Sequence, residues 1–292
     1  MPMWFTHFVS RPYRRPLEVS GLRAKPSSLR GRALAALYDT VFNLLLDSVS
    51  AGVGRTLRAE SGPLMILLFD LAAQVDQYLD STEPEVWVGE IEAVLWRPEV
   101  QLESARLLHF LRSHGERGAI HGLAESFVSQ FPAYLSVLRQ ARQSHRYEDA
   151  LAAALIDNGE WLASVMGQIA AFNGTALGPD LTQDFTALGM VGKGADDLTD
   201  VVRDHRKNRI NSLLFLVSET SEEAARFEQG LRSGARFSLS WWRANCPETM
   251  ARYEMDVADW FARISRPRMR ILANVLLLPT QFGYDYDRLR EG

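Results

Sequence analysis

From Gly31 onward the apolar positions recur every three or four residues, the interval that gathers them on one side of a helix. Leu34, Leu37, Val41, Leu44, Leu45 and Val49 fall on one such stripe. The next segment, GPLMILLFDLAAQVDQYLD, has a proline near its start and is almost wholly apolar, as expected of a buried helix. PEVWVGEIEAVLW opens on Pro84 with an acidic first turn and stops before Pro98. Shorter helices are predicted over 100–114 and 118–130, broken around SHGERG, and Pro132 opens another to about Gln143. YEDALAAALIDNGEWLASVMGQIAAF reads as one long helix closed by NGTALGP. A further helix is expected over 180–207. SETSEE carries a capping pattern, and Pro247, Pro267 and Pro279 each sit near another start. No segment alternates as a strand does, no repeat has a fixed period, and no Gly/Ser linker interrupts the chain. The expected fold is therefore all-α, a single domain over 31–292.

Composition narrows the function. The 292 residues are 47% apolar, enough for a sizeable core. A net charge of -4 and a pI near 5.9 argue against a nucleic-acid binder, which would show a basic excess. Cys246 is the single cysteine, so no intrachain disulfide forms and a reducing compartment suits the chain. The longest apolar stretch, PLMILLFDLAAQV, is too short for a membrane span and contains Asp70. The N-terminus has no signal-peptide pattern. These features point to a cytoplasmic protein. Residues 1–30 stand apart as a basic, proline-rich arm with Pro2, Pro12, Pro16 and Pro26. Two readings stay open for it: a loosely wrapped arm, or a basic flap toward an anionic ligand or the membrane surface.

The chemistry concentrates in ADDLTDVVRDHRKNRINSL, from Ala195 to Leu213. Asp196, Asp200 and Asp204 are spaced i, i+4, i+8, so a helix stacks them along one face, with Asp197 beside them. Like charges so placed repel unless neighbouring arginines or a divalent cation neutralise them. A second pair at the same spacing, Asp76 and Asp80 in DQYLD, ends the apolar helix. Two acidic helix segments suit Mg²⁺, which takes oxygen ligands from one or two carboxylates, water and substrate phosphates. Arg203, Arg206, Lys207 and Arg209 would then grip the phosphates.

These residues resemble the class I isoprenoid synthases: polyprenyl diphosphate synthases, squalene and phytoene synthases, and terpene synthases. ADDLTD is similar to the second aspartate-rich motif of that superfamily. With DVVRDHRKNR it approaches the DxxxD form of the head-to-head branch, in which Asp200 and Asp204 are the pair and Asn208-Arg209 replaces Gly-Arg. DQYLD resembles the first motif. DNGEWLASVMGQIAAFNG resembles the helix between them, with Gly159 and Leu162 in register. The resemblance covers about residues 30 to 215. It departs from the elongating synthases where their Lys-Thr is Asp157-Asn158, where no double arginine follows Asp80, and where only Arg30-Gly31-Arg32 stands for the isopentenyl-diphosphate site.

The resemblance implies an all-α bundle around a central apolar cavity and a Mg²⁺-dependent enzyme acting on an allylic prenyl diphosphate. In it Asp76, Asp80, Asp200 and Asp204 are catalytic and, with Asp196 and Asp197, hold the metal. Arg203, Arg206, Lys207, Arg209 and Asn211 bind diphosphate, while Phe69, Tyr78, Trp161 and Phe172 line the pocket. The lost second-substrate groups favour a terpene synthase, whose metals and bases stabilise the departing diphosphate before cyclisation or quenching of the carbocation. The rivals are a prenyl-joining transferase of the squalene or phytoene synthase type and a non-catalytic prenyl-ligand binder. A homodimer and peripheral membrane contact belong to the same expectation, as do acidic pairs facing each other across one cavity mouth. Other motifs fail. His109, His114 and His121 share no helix face, and GMVGKGADD lacks the ending of a phosphate loop. Its glycines suit close helix packing or room for a ligand. Trp241 and Trp242 cannot both face one core from a helix, so one is expected at a rim.

Overall fold

The computed structural model describes residues 29–81, 97–114, 132–278 and 280, with side chains from Val41 onward except Ala73 and 76–81. Among the described residues every regular element is helical. The N-terminal arm, the helices expected near 84–96 and 118–130, and Pro279 lie outside them. No helix among the described residues is long and apolar enough to cross a membrane. The described residues gather into two compact units, interleaved in sequence: those within Met3–Ser129 together with Ser164–Thr182, and those within Gln130–Ala163 together with Gln183–Gly292.

The first unit holds α1 (Leu29–Val53), α2 (Ser61–Ser81) and α3 (Pro98–Ser113). Val41, Leu45 and Val49 of the predicted stripe are buried, and α2 packs on both α1 and α3. Phe69 of α2 meets Phe42 of α1 edge to face at 5.4 Å. Its entry to α2 is fixed by the side chain of Asn173. That amide donates to Ser61 Oγ at 2.9 Å and to the Ile169 carbonyl at 2.7 Å, while its oxygen accepts from Arg58 N at 2.7 Å. Gly174 turns the chain just beyond with φ +69°, the left-handed residue that the NGTALGP signal calls for.

The second unit begins with a helix over 132–144, labelled α4, followed by α5 (Tyr147–Ala154). The long helix predicted from Tyr147 is continuous but not uniform. A π turn, Leu155–Glu160, intervenes before α6 (Trp161–Phe172), and Ser164–Thr182, with most of α6 and the start of the next helix, belongs to the first unit. Next come α7 (Pro179–Arg206), α8 (Ser212–Ser218), α9 (Ser221–Ser233), α10 (Leu239–Asn245), α11 (Pro247–Arg263) and α12 (Pro267–Leu277). Proline occupies the first turn of α11 and α12, where its missing N–H costs nothing.

Two buried acids from other helices satisfy donors at these starts. Glu223 accepts from Glu248 N (2.8 Å), Thr249 N (2.9 Å) and Thr249 Oγ1 (2.6 Å). Asp184 accepts from Ser265 N and Oγ and from Arg266 just before α12. The core of this unit closes around Trp242, stacked on Phe227 at 5.4 Å. Trp241 is only partly buried against the same cluster, 4.4 Å from Phe237, as expected of the one tryptophan at a rim. Gly230 makes the room, since a Cβ there would sit 2.7 Å from the Trp241 ring.

Candidate functional site

The α7 helix, Pro179–Arg206, carries the acidic run, and its glycines set how closely it is approached. A Cβ on Gly189 would overlap the Asn158 carbonyl of the π turn, so only glycine lets the two backbones meet there. One turn on, a Cβ at Gly194 would lie 2.7 Å from Val257 of α11, and the Tyr253 hydroxyl donates to the Gly194 carbonyl. These contacts press the following turn of α7 into the second unit's interior.

There the acids are buried together. Asp196, Asp197 and Asp204 have no exposed surface and Asp200 is 3% exposed. Each is bonded within the chain. Lys193 Nζ lies 2.6 Å from Asp197 Oδ1 and 3.8 Å from Asp196 Oδ2. Asp197 Oδ2 also accepts from Ser212 N at 3.0 Å and from the Ser212 hydroxyl. Arg203 pairs with Asp200, and its Nε lies 3.5 Å from Asp204 Oδ1.

Burial raises the affinity of Asp196 and Asp200 for a proton and pushes Asp204 up to about 6 against the pull of Arg203. Burial would strip the proton from Lys193, but Asp197 and Asp196 outweigh it and hold the ammonium charged. Tyr147 and Tyr253 are held neutral by burial, Tyr147 also by its 2.6 Å hydrogen bond to Asp256.

The basic residues divide into two groups. Arg203 is buried among the acids, whereas Arg206 and Lys207 are exposed and Arg209 is partly so. Asn211, expected on a diphosphate, is committed inside the protein. Its amide nitrogen donates to the Asp197 carbonyl (2.8 Å) and to Asp204 Oδ2 (3.0 Å), and its oxygen accepts from Leu214 N as the cap of α8. Both amide protons are used, so none is left for a phosphate.

Phe69 is buried against Phe42. Phe172 is buried under the Arg58 guanidinium, 4.1 Å from its ring centre, with Phe110 alongside at 6.1 Å. Trp161 is half-buried at the end of the π turn. Asp76, Tyr78 and Asp80 lie on α2, with their side chains outside the described residues.

Two members of the site carried weak signals in the sequence. Lys193 stands three and four positions before Asp196 and Asp197, the spacing of helical ion pairs, but is hidden in a glycine-rich run. Asn158, in the π turn, is fully buried and donates to Asp157 Oδ2 at 3.3 Å, while Asp157 Oδ1 accepts from Tyr134 at 2.9 Å.

The acidic face of α7 meets only part of what Mg²⁺ requires. Its oxygen chemistry is right, and four carboxylates face two cations. The arrangement does not fit. Lys193 and Arg203 lie among the carboxylates, and among the described residues no three His, Cys, Asp or Glu side chains are placed to hold a metal ion.

No family model and no curated protein matches the sequence. Among solved structures, a polyprenyl synthase from Roseobacter denitrificans is similar at 16% identity, over 88% of this chain and 91% of that one, with a TM-score of 0.46. That likeness is too remote to define a family for this chain.

Proposed function

We propose that this protein ionises an allylic prenyl diphosphate in the manner of a class I terpene synthase, with cyclisation or quenching of the carbocation to follow. The observation that carries this reading is the buried charged face of α7. Four carboxylates, a lysine and an arginine inside an apolar unit are costly to desolvate, and stability alone is poorly served by them. Such departures from packing logic concentrate at functional sites. The substrate class comes from the resemblance of ADDLTDVVRD and DQYLD to the superfamily's two motifs. In this reading Arg206, Lys207 and Arg209, where α7 ends, take the charge of the diphosphate, and Arg203 keeps Asp200 and Asp204 in place. No step runs through Mg²⁺, whose requirement is left to the assay.

A second reading is favoured by one observation. The carboxylates are already neutralised from within, as suits a non-catalytic prenyl-ligand binder.

The test incubates purified protein with geranyl, farnesyl and geranylgeranyl diphosphates, with and without Mg²⁺. Diphosphate release with a hydrocarbon or alcohol from one substrate is expected. Products that join two prenyl units would move the protein to the squalene and phytoene synthase type. Silence with every substrate, together with unchanged ligand binding by Asp76→Ala and Asp200→Ala variants, would leave the binder.

A further inference from the structure

We infer that Lys193 is a resident cation that occupies the place of a divalent metal on Asp196 and Asp197. The acidic face of α7 is thereby closed to metal at its first pair. The geometry carries this. Lys193 leaves α7 three and four residues before the two aspartates, and its ammonium reaches both, at 3.8 and 2.6 Å. Its side chain is only 12% exposed and theirs not at all, so the charge is delivered inside the protein.

The other oxygen of Asp197 is occupied as well. Ser212 donates twice to Asp197 Oδ2. Arg203 does for Asp200 and Asp204 what Lys193 does for their neighbours. A Mg²⁺ ion demands near-octahedral oxygen ligation at about 2.0–2.1 Å and keeps several waters. An ammonium 2.6 Å from Asp197 Oδ1 leaves no room for that shell. Gly192 and Gly194 flank the lysine in sequence, and Gly194 is held against Val257 and Tyr253, which fixes the turn of helix from which Lys193 departs. The inference concerns what neutralises this face and does not rest on the prenyl-diphosphate reading.

Mn²⁺ is the probe, followed by electron paramagnetic resonance on the full chain. Lys193→Met removes the charge while keeping a long unbranched side chain. The variant is expected to gain an Asp197-dependent Mn²⁺ site, at least tenfold tighter than any Mn²⁺ binding by the wild type. That site should vanish in Lys193→Met/Asp197→Asn and be absent in Lys193→Arg. Its thermal midpoint should rise with Mg²⁺, while the wild-type midpoint is the same in Mg²⁺ and in chelator. Failure of Lys193→Met to gain a site overturns the inference. So does wild-type Mn²⁺ binding that Asp196→Asn or Asp197→Asn removes. Should Lys193→Met not fold, the wild-type comparison with those two variants decides alone, and unchanged Mn²⁺ binding upholds the inference. Because the readout is metal binding, a silent prenyl-diphosphate assay leaves this result intact, and an active one does not supply it.

Discussion

Arg203 separates two roles that one basic residue on α7 can have. If it serves the fold, removing it strands buried carboxylates. Breaking a buried ion pair from one side costs about 3–5 kcal/mol. Arg203→Ala should therefore lower unfolding free energy by about that amount in urea titrations, whereas exposed Arg206→Ala should stay within about 0.5 kcal/mol. Equal, small losses for both would return Arg203 to the surface role. Cys246 gives a second residue-scale outcome. Burial, then the nearby Glu223, pushes its thiol up to about 12, and Sγ–H points at the Glu223 carbonyl at 3.7 Å. It should resist a disulfide reagent at neutral pH in native protein and react at once in denaturant; prompt native labelling would contradict this. Sequence spacing made the acidic face of α7 legible, but not its burial, because a helix-surface pattern looks the same whether solvent or a second helix lies across from it. The partners of Asn211 were hidden for a similar reason. Its neighbours in the chain are basic, while its partners in space are Asp204 and the α8 cap.

At the scale of elements, prolines, glycines and apolar stripes marked helix starts within a few residues: α7 was expected over 180–207 and runs Pro179–Arg206. The partners at those starts were not legible, since Glu223 reaches across 26 positions to Thr249. Glu223→Ala removes three accepted bonds at once. It should cost about 2–4 kcal/mol of stability by denaturant titration, and a loss below about 1 kcal/mol would show that water replaces the carboxylate. The contact between α7 and the π turn is tested by Gly189→Ala. Its methyl group meets the Asn158 backbone, which cannot swing aside, so a loss of about 1–3 kcal/mol or more is expected. An unchanged melting temperature would mean that the two helices part easily.

For the whole molecule, the all-helical class was open to reading because periodicity and the absence of alternation agree along the chain. The division into two compact units was not. Their segments interleave, with Ser164–Thr182 returning to the first unit from inside the second's stretch, so no linker composition marks a border. Hydrogen exchange can test this organisation. Asn173→Ala removes the bonds to Ser61, Ile169 and Arg58 and should lower amide protection in α2 at least tenfold. Protection in α11, in the other unit, should change far less. An equal fall in both would show that the chain opens as one body.

The π turn at Leu155–Glu160 has a consequence for the chain's reading frame. An α-helix turns about 100° per residue, and a π turn spends one residue more than an α turn on the same circuit. Every side chain of α5 is thus out of phase with α6 by about that angle. Losing a single codon in this stretch would restore a uniform helix and swing Tyr147 away from Asp256, its partner at 2.6 Å. The segment is one where a deletion of one residue does more harm than most substitutions.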